Sequence, residues 1–357
     1  MSTVYLISLN VWGNIDVKYN AYIYPITGRL KTGVYNPYID NFIQSSEGFV
    51  DYVNKENPTG IGIFNIFRFL YKIDVLFLNW IENLPDKKLG LIQTYFFLMI
   101  LRLKKIFKIK VVWTLHNKIS HYPKNIYFKK LLFKNLLKNS DLIITHSQEG
   151  ISFAEKLCPG VSSRIFYFPH PVVPVKKSVT DTSKKYDILI WGLLLPYKKI
   201  DDFLKHIHEN NLMNKYRILI AGKAVSDIYL EKIDKYCNEK ITIINRFIEN
   251  NELELMMSQA KVVLFTYSGK SVLSSGALID SIANRSLVIG PDVGAFAEMG
   301  QSGVISTYKD FDDLIKLLDR TDEILASDRI DRITKFIEEH SWSQFADGLK
   351  SSLIKAG

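Results

Sequence analysis

Short runs of Val, Ile and Leu alternate along the chain with longer segments in which apolar residues recur every three or four positions. The short runs predict strands and the periodic segments predict helices. In the first half, strands are expected at 4–10, 74–79, 110–115, 141–145 and 164–168, with helices near 37–46, 61–71, 89–107, 125–138 and 148–157. In the second half, strands are expected at 187–191, 217–221, 241–245, 261–267, 287–290 and 304–306. The helices between them fall near 200–209, 227–237, 252–259, 277–284, 310–318 and 330–340. Nearly continuous apolar strands separated by helices indicate an α/β class with parallel sheets covered on both faces. Between the halves, Pro169-His-Pro-Val-Val-Pro174 leads into a polar run from Lys176 to Lys185. This reads as an interdomain linker. The expectation is two Rossmann-like domains, 1–174 and 175–340, facing across a cleft, and open parallel sheets bind ligands beyond the carboxyl ends of their strands.

Length agrees with that division, since 357 residues is about twice a typical 150-residue domain. With 47% hydrophobic and 23% charged residues, neither a disordered nor a collagen-like chain fits. The two cysteines, Cys158 and Cys237, match no zinc or redox spacing and read as buried thiols in a reducing compartment. No basic leader precedes the first apolar run, so no signal peptide is expected. The longest apolar run, 89–101, includes Gln93 and Thr94 and falls short of the roughly 20 residues that span a bilayer. A soluble or peripheral protein is the expectation.

The net charge of +9 is unevenly distributed. Residues up to Pro174 carry 21 basic against 11 acidic side chains, and the remainder is close to balanced. Between Asp86 and Asp141 there are 13 basic residues and no acidic one, interleaved with aromatics such as Tyr95, Phe107, Tyr127 and Phe133. A basic stretch of this kind, 87–138, attracts anionic headgroups or a nucleic-acid backbone. No nucleic-acid motif accompanies it, so an anionic membrane surface is the expected partner and nucleic acid is not. A solvated basic face without a partner is the alternative.

Two phosphate motifs can be set aside. Gly269-Lys270-Ser271 resembles the end of a P-loop, but Leu264 stands where its first glycine is required. No GxGxxG follows the first expected strand. More informative is Phe265–Gly300, where a strand runs into a small-residue loop and a helix opens near Ser275-Gly276. Its unpaired backbone N–H groups, with Lys270, Ser271, Ser274 and Ser275, form a suitable pyrophosphate cradle. Asp280, one turn in, could accept hydrogen bonds from ribose hydroxyls. An N-capped helix behind a solvent-facing serine loop is the other reading.

These segments resemble the nucleotide-binding domain of bacterial GT-B glycosyltransferases, close to the glycosyltransferase family 4 type of cell-surface, capsular and exopolysaccharide synthesis. Gly192-Leu-Leu-Leu-Pro-Tyr-Lys198-Lys199 is similar to that family's Gly-Arg-x4-Lys-Gly loop. Ile244-Asn-Arg246-Phe247-Ile248 resembles the segment lying over the nucleobase. The run from Asp280 to Ile289 resembles Glu-Ala-x-Ala-x-Gly-x-Pro-Val-Ile, and Ser341-Trp342 the start of a carboxyl-terminal helix, 341–357, that returns to the first domain. In the first half, Asn36-Pro37-Tyr38, Asn79-Trp80-Ile81-Glu82 and Trp113-Thr-Leu-His116-Asn117 resemble segments of related enzymes.

The resemblance implies a GT-B fold and transfer of a sugar from a nucleotide-diphosphate sugar to an acceptor hydroxyl, on a lipid-linked saccharide at the cytoplasmic face of the membrane. It assigns donor binding to Lys198, Arg246, Phe247, Lys270, Ser274, Ser275, Gly276 and Asp280. His116, which follows a strand, becomes the leading catalytic candidate, with Glu82 and His121 as alternatives and with Trp80 and Asn117 on the acceptor side. His146, just after a strand, could also line the cleft. No cofactor and no metal are expected, lysines and a helix terminus serving to neutralise the leaving diphosphate. There are departures: Leu193 replaces the family's arginine, Asp280 its second glutamate and Val272 its first. They leave open a non-catalytic subunit of a glycosyltransferase complex, and a nucleotide-sugar epimerase is a second alternative.

Overall fold

The structure, a computed structural model, describes residues 18–28, 36–56, 62–118, 124–175, 183–267, 273–325 and 328–356, together with the backbone of 8–9 and 15–16. The chain divides into two compact units, one formed by Met1–Pro169 with Trp342–Gly357 and the other by His170–Ser341.

In the first unit, β1 (Ser8–Leu9) and β2 (Ile15–Asp16) form a small antiparallel pair. The main sheet contains β3 (Tyr19–Tyr24), β4 (Val50–Tyr52), β5 (Val75–Asn79), β6 (Lys110–Leu115), β7 (Leu142–Thr145) and β8 (Ile165–Tyr167). Its order is β4-β3-β5-β6-β7-β8 and every pairing is parallel. Helices α1 (Tyr38–Ser46), α2 (Gly90–Leu103), α3 (Ile126–Asn139) and α4 (Gln148–Leu157) connect these strands. Because helices cover the sheet, a central strand must be apolar on both faces. Accordingly, all five residues of β5 are buried.

The second unit repeats the plan. Its sheet is β9 (Tyr186–Trp191), β10 (Ile218–Ala221), β11 (Ile241–Ile244), β12 (Ala260–Leu264), β13 (Val288–Pro291) and β14 (Ser306–Tyr308). The order is β11-β10-β9-β12-β13-β14, again wholly parallel. Eight helices lie along this part of the chain: α5 (Ile200–Glu209), α6 (Asp227–Asp234), α7 (Asn250–Gln259), α8 (Gly276–Ala283), α9 (Gly294–Gln301), α10 (Phe311–Asp319), α11 (Thr321–Leu325) and α12 (Arg329–Glu339). In α5, buried Ile200, Phe203, Leu204 and Ile207 trace the helical period that holds it to the core. The last helix, α13 (Trp342–Lys355), belongs to the first unit, where Trp342, Phe345 and Leu349 pack in one core with α1 and β3.

Several elements differ from expectation. Strand β14 begins at Ser306 rather than at 304, because Val304 and Ile305 are buried in the turn before it. The helix expected over 61–71 is a 3-10 turn, Gly62–Arg68. Strands β3 and β4 were not foreseen, since their tyrosines and polar residues lack the aliphatic signature. Of the strand expected at 4–10, only Ser8–Leu9 is described, and it pairs with β2 outside the main sheet. Both cysteines are free and partly exposed, which corrects the reading of buried thiols.

Each sheet has one place where strand order reverses, and such switch points open a crevice at the carboxyl ends of the strands. In the first unit it lies between β3 and β5, in the second between β9 and β12.

Candidate functional site

In the second unit the switch point is lined by the loops after β9 and β12. The β9 loop turns at Gly192, whose φ of +94° lies in the region that favours glycine. A Cβ there would stand 3.0 Å from Lys198 Nζ. The loop after β10 closes on it so tightly that a Cβ on Gly222 would lie 2.0 Å from the Gly192 carbonyl oxygen. This backbone packing folds Lys198 inward. The side chain is buried, with Nζ 3.3 Å from the Trp191 carbonyl oxygen and 5.3 Å from the centroid of the Tyr267 ring. No carboxylate among the described residues pairs with it. Burial pushes the ammonium down to about 7.

Tyr267 links that lysine to the start of α8. Its hydroxyl lies 3.4 Å from Ser275 Oγ, and Ser275 caps α8 by accepting from the Leu278 N–H at 3.4 Å. Beside it the Ser274 hydroxyl is buried and has no hydrogen-bond partner among the described residues. A buried cation, an unsatisfied hydroxyl and a helix N-terminus beginning at Gly276 therefore converge through Tyr267. Together they present positive potential and donors to an anion. Asp280 keeps solvent contact, while the protein crowded around its carboxyl pushes it up to about 6. Further along the carboxyl edge, Arg246 is held in a bidentate pair with Glu252, and Phe247 is 58% exposed. Lys199 pairs instead with Asp202.

The first unit gathers aromatics and histidines at its own switch point. Trp80 follows β5 in a left-handed conformation, φ +49°, which is costly for a bulky residue and depends on the packing around it. Its indole stacks on His116, just past β6, with centroids 4.2 Å apart and planes 14° from parallel. Tyr38, at the start of α1, makes T-shaped contacts with His116 at 4.8 Å, Trp80 at 5.8 Å and Trp342 at 5.2 Å. His116 Nε2 lies 3.0 Å from Asn79 Oδ1. An amide oxygen only accepts, so with Asn79 oriented as found the neutral imidazole carries its proton on Nε2, and Nδ1 is the basic nitrogen. His146 Nδ1 lies 2.8 Å from the Phe168 carbonyl oxygen and Nε2 lies 2.8 Å from the Tyr38 hydroxyl. In the neutral ring the phenol therefore donates to Nε2, and burial holds that phenol protonated by raising its pKa.

Of the remaining candidates, Asn117 is half-buried next to His116. Glu82 is buried among other neighbours, Trp113 and Lys129. Burial pushes its carboxyl up to about 7 against the opposing influence of its own backbone N–H, the Trp113 indole and the Lys129 charge. Glu82 Oε2 and Trp113 Nε1 are both buried without a partner in hydrogen-bond geometry among the described residues. His121, Lys270, Ser271 and Val272 lie outside the described residues. Tyr267 was not singled out in the sequence; its place at the end of an apolar run before a serine loop was the available signal. The expectation of no metal rested in part on the absence of an Asp-x-Asp spacing, and the sequence corrects that: Asp310-Phe311-Asp312 has it. Asp310 caps α10 through the Asp313 N–H, and Asp312 lies 3.3 Å from His206 Nε2. Among the described residues no group of three His, Cys, Asp or Glu is placed to hold a metal ion.

The basic stretch is not one continuous face. Lys104 is buried against Asp141, Lys129 is buried against Asp86, and Lys118 pairs with Glu149.

No family model matches the chain, and no curated protein does. Solved structures match it along nearly its whole length. HepE of Anabaena, in complex with UDP and glucose, is 10% identical with a TM-score of 0.68, over 94% of this chain and 100% of that one. AviGT4, a glycosyltransferase involved in avilamycin A biosynthesis, is 15% identical with a TM-score of 0.61, over 94% and 96%. An alpha-glucosyltransferase in complex with UDP and a 13-mer DNA containing an HMU base is 14% identical with a TM-score of 0.61, over 95% and 99%. At these identities the likeness establishes the fold: two parallel six-stranded α/β units, as in GT-B glycosyltransferases.

Proposed function

We propose that the protein is a glycosyltransferase that moves a sugar from a nucleotide-diphosphate sugar, bound by the second unit, to a hydroxyl of a saccharide acceptor bound by the first. The acceptor is a lipid-linked saccharide in cell-surface polysaccharide or glycan synthesis, and the enzyme works at the cytoplasmic face of the membrane. The observation that carries this reading is Lys198, a buried ammonium beside an unsatisfied serine hydroxyl and a helix N-terminus, with no carboxylate among the described residues to balance it. A diphosphate supplies the missing charge. UDP in the complexes of HepE and of the alpha-glucosyltransferase makes uridine the first base to try.

In this reading Lys198, Ser274, Ser275 and the first N–H groups of α8 hold the diphosphate and stabilise the charge that grows on it as the sugar departs. Lys270 belongs to the same set. Asp280 accepts from the ribose hydroxyls, and Arg246 and Phe247 border the base. His116 offers Nδ1 to the acceptor hydroxyl or to the donor sugar, its ring held flat by Trp80 and its proton fixed by Asn79. Trp80 and Asn117 contact the acceptor.

Thermal denaturation with UDP, GDP, TDP, UMP and UDP-sugars tests the reading through mass-action stabilisation. A nucleoside diphosphate should raise the melting temperature, and UMP should do so much less. Silence with every diphosphate would reject the proposal. Leu193, in place of the arginine of similar loops, favours a second reading as a non-catalytic subunit. That version predicts diphosphate binding without turnover, and no loss of function in His116→Ala.

A further inference from the structure

Helix α2 is apolar on two opposite faces. One face buries Phe97, Ile100 and Leu101 against the first unit. On the other, Leu91 (41% exposed), Ile92 (60%), Tyr95 (60%) and Met99 (44%) stand in solvent. At 100° per residue these four fall within one stripe about 100° wide, and Arg102 lies on it as well. A helix apolar all round is normally buried, and a surface helix normally turns a polar face outward. Here the outward face is the apolar one. Leu89 and Ile106, just beyond the two helix ends, are exposed as well.

The neighbouring helix supplies the charge. On α3, Lys130, Lys134 and Lys138 recur at intervals of four, all exposed, and Tyr127 is 71% exposed. The two helices pack together, leaving a groove of about 340 Å³ whose lining includes Tyr95, Met99 and Arg102 of α2 with Leu131 and Asn135 of α3. Asp86 and Asp141 bound the stretch in sequence, and each is engaged by a buried lysine. No carboxylate among the described residues pairs with Arg102, Lys105, Lys130, Lys134 or Lys138. Among the described residues no helix is long and apolar enough to cross a membrane.

We infer that the α2–α3 surface is a membrane-docking surface: the apolar stripe of α2 sinks into the interface of an anionic bilayer while the lysines of α3 and Arg102 meet the headgroups. The combination decides the occupant. A bare phosphate backbone would engage the lysines but gain nothing from Leu91, Ile92 and Met99. A bilayer interface takes up both, since apolar burial and attraction to anionic lipid add together. The inference rests on this surface alone and holds whichever nucleotide the second unit binds.

Co-sedimentation of the full chain with vesicles of phosphatidylcholine alone, or containing 30% phosphatidylglycerol, tests it. Binding should appear with the anionic vesicles, weaken in high salt and weaken about fivefold for each lysine among 130, 134 and 138 replaced by Gln. The triple change Leu91→Gln, Ile92→Gln and Met99→Gln should reduce binding more than tenfold with an unchanged melting temperature, because all three positions are exposed. Absence of sedimentation with anionic vesicles would overturn the inference. So would unaltered binding by the triple variant, duplex DNA bound as tightly as vesicles, or a dimer in solution that the triple variant abolishes.

Discussion

Three lysines among the described residues are buried, and the two units treat them differently. In the first unit, Lys104 (8% exposed) and Lys129 (5%) each meet an aspartate, Asp141 and Asp86. In the second, Lys198 (5%) meets a carbonyl oxygen and the face of a tyrosine. Burying a charge is tolerable when a counter-charge comes with it, and strongly unfavourable otherwise. The paired lysines complete a structural balance within the protein. Under the function proposed above, Lys198 is left for an anion that arrives from outside, at a switch point beside the α8 N-terminus.

The sharpest way to break this contrast is to make a first-unit lysine resemble Lys198. Asp141→Asn removes the carboxylate from Lys104 while keeping an acceptor for the Val111 N–H. It should cost about 3–5 kcal/mol in urea denaturation; a cost under about 1 kcal/mol would mean that the pairing is not what makes burial tolerable. The reverse change, Lys198→Met, should stabilise the free protein by about 5 kcal/mol at pH 6, from a pKa lowered from 10.5 to about 7. The sign follows from proton counting. Between pH 7 and 10.5 the unfolded chain holds a proton that the folded chain has released, so stability rises with pH there and the penalty is complete below 7. The gain should fade toward pH 10, and the stabilisation by a nucleoside diphosphate should disappear.

Glu82 gives a comparison of opposite sign inside the first unit. Its carboxyl, raised from 4.5 to about 7, keeps its proton in the fold after the unfolded chain has lost it. Stability should therefore fall as pH rises from 4.5 to 7 and stay low above. Glu82→Gln should remove that decline and stabilise by up to about 3 kcal/mol at pH 8, read from melting curves across the pH range. An unchanged pH profile would mean that Glu82 is already ionised at neutral pH.

How much of this was legible depends on how local each feature is. The aliphatic strands β5, β6 and β7 and the helix α5 announce themselves by period, so the α/β class and the position of His116 at a strand end could be read directly. The tyrosine-rich β3 and β4 could not, because their burial depends on helices far along the chain. The pairing of Lys104 with Asp141 spans 37 residues, and a run of 13 basic residues gives no hint of which two are consumed inside the fold. Lys198 was named from the resemblance of its loop to Gly-Arg-x4-Lys-Gly, but its lack of a carboxylate among the described residues is a property of the packed loops around Gly192 and Gly222. Likewise the left-handed turn at Trp80, which lays the indole on His116, leaves no mark in a sequence that has tryptophan where a glycine would signal the bend.

The smallest effect expected is also the one that ties the buried lysine most directly to its ligand. With Lys198 near 7 in the free protein, a bound diphosphate raises its pKa, so the complex keeps a proton that the free protein loses above pH 7. Below 7 the lysine is charged in both states and its contribution to affinity is flat. Above 7 binding draws in a proton, and affinity should fall by up to tenfold per pH unit. A nucleotide sugar is the better probe than the free diphosphate, whose terminal phosphate gains charge near pH 6 and would mask the trend. Asp280, near 6, bounds the other side: a carboxylate that accepts from ribose loses that capacity as it is protonated, so affinity should also decline below about pH 6. Titration calorimetry with UDP-glucose from pH 5 to 9, in two buffers of different ionisation enthalpy, reads both the affinity and the proton uptake. Lys198→Arg, always charged, should bind more weakly but lose the alkaline decline, and Asp280→Asn should lose the acidic one. Affinity that stays level from pH 7 to 9 in the unaltered protein would mean that Lys198 keeps its charge without a ligand, and the contrast with the paired lysines of the first unit would vanish.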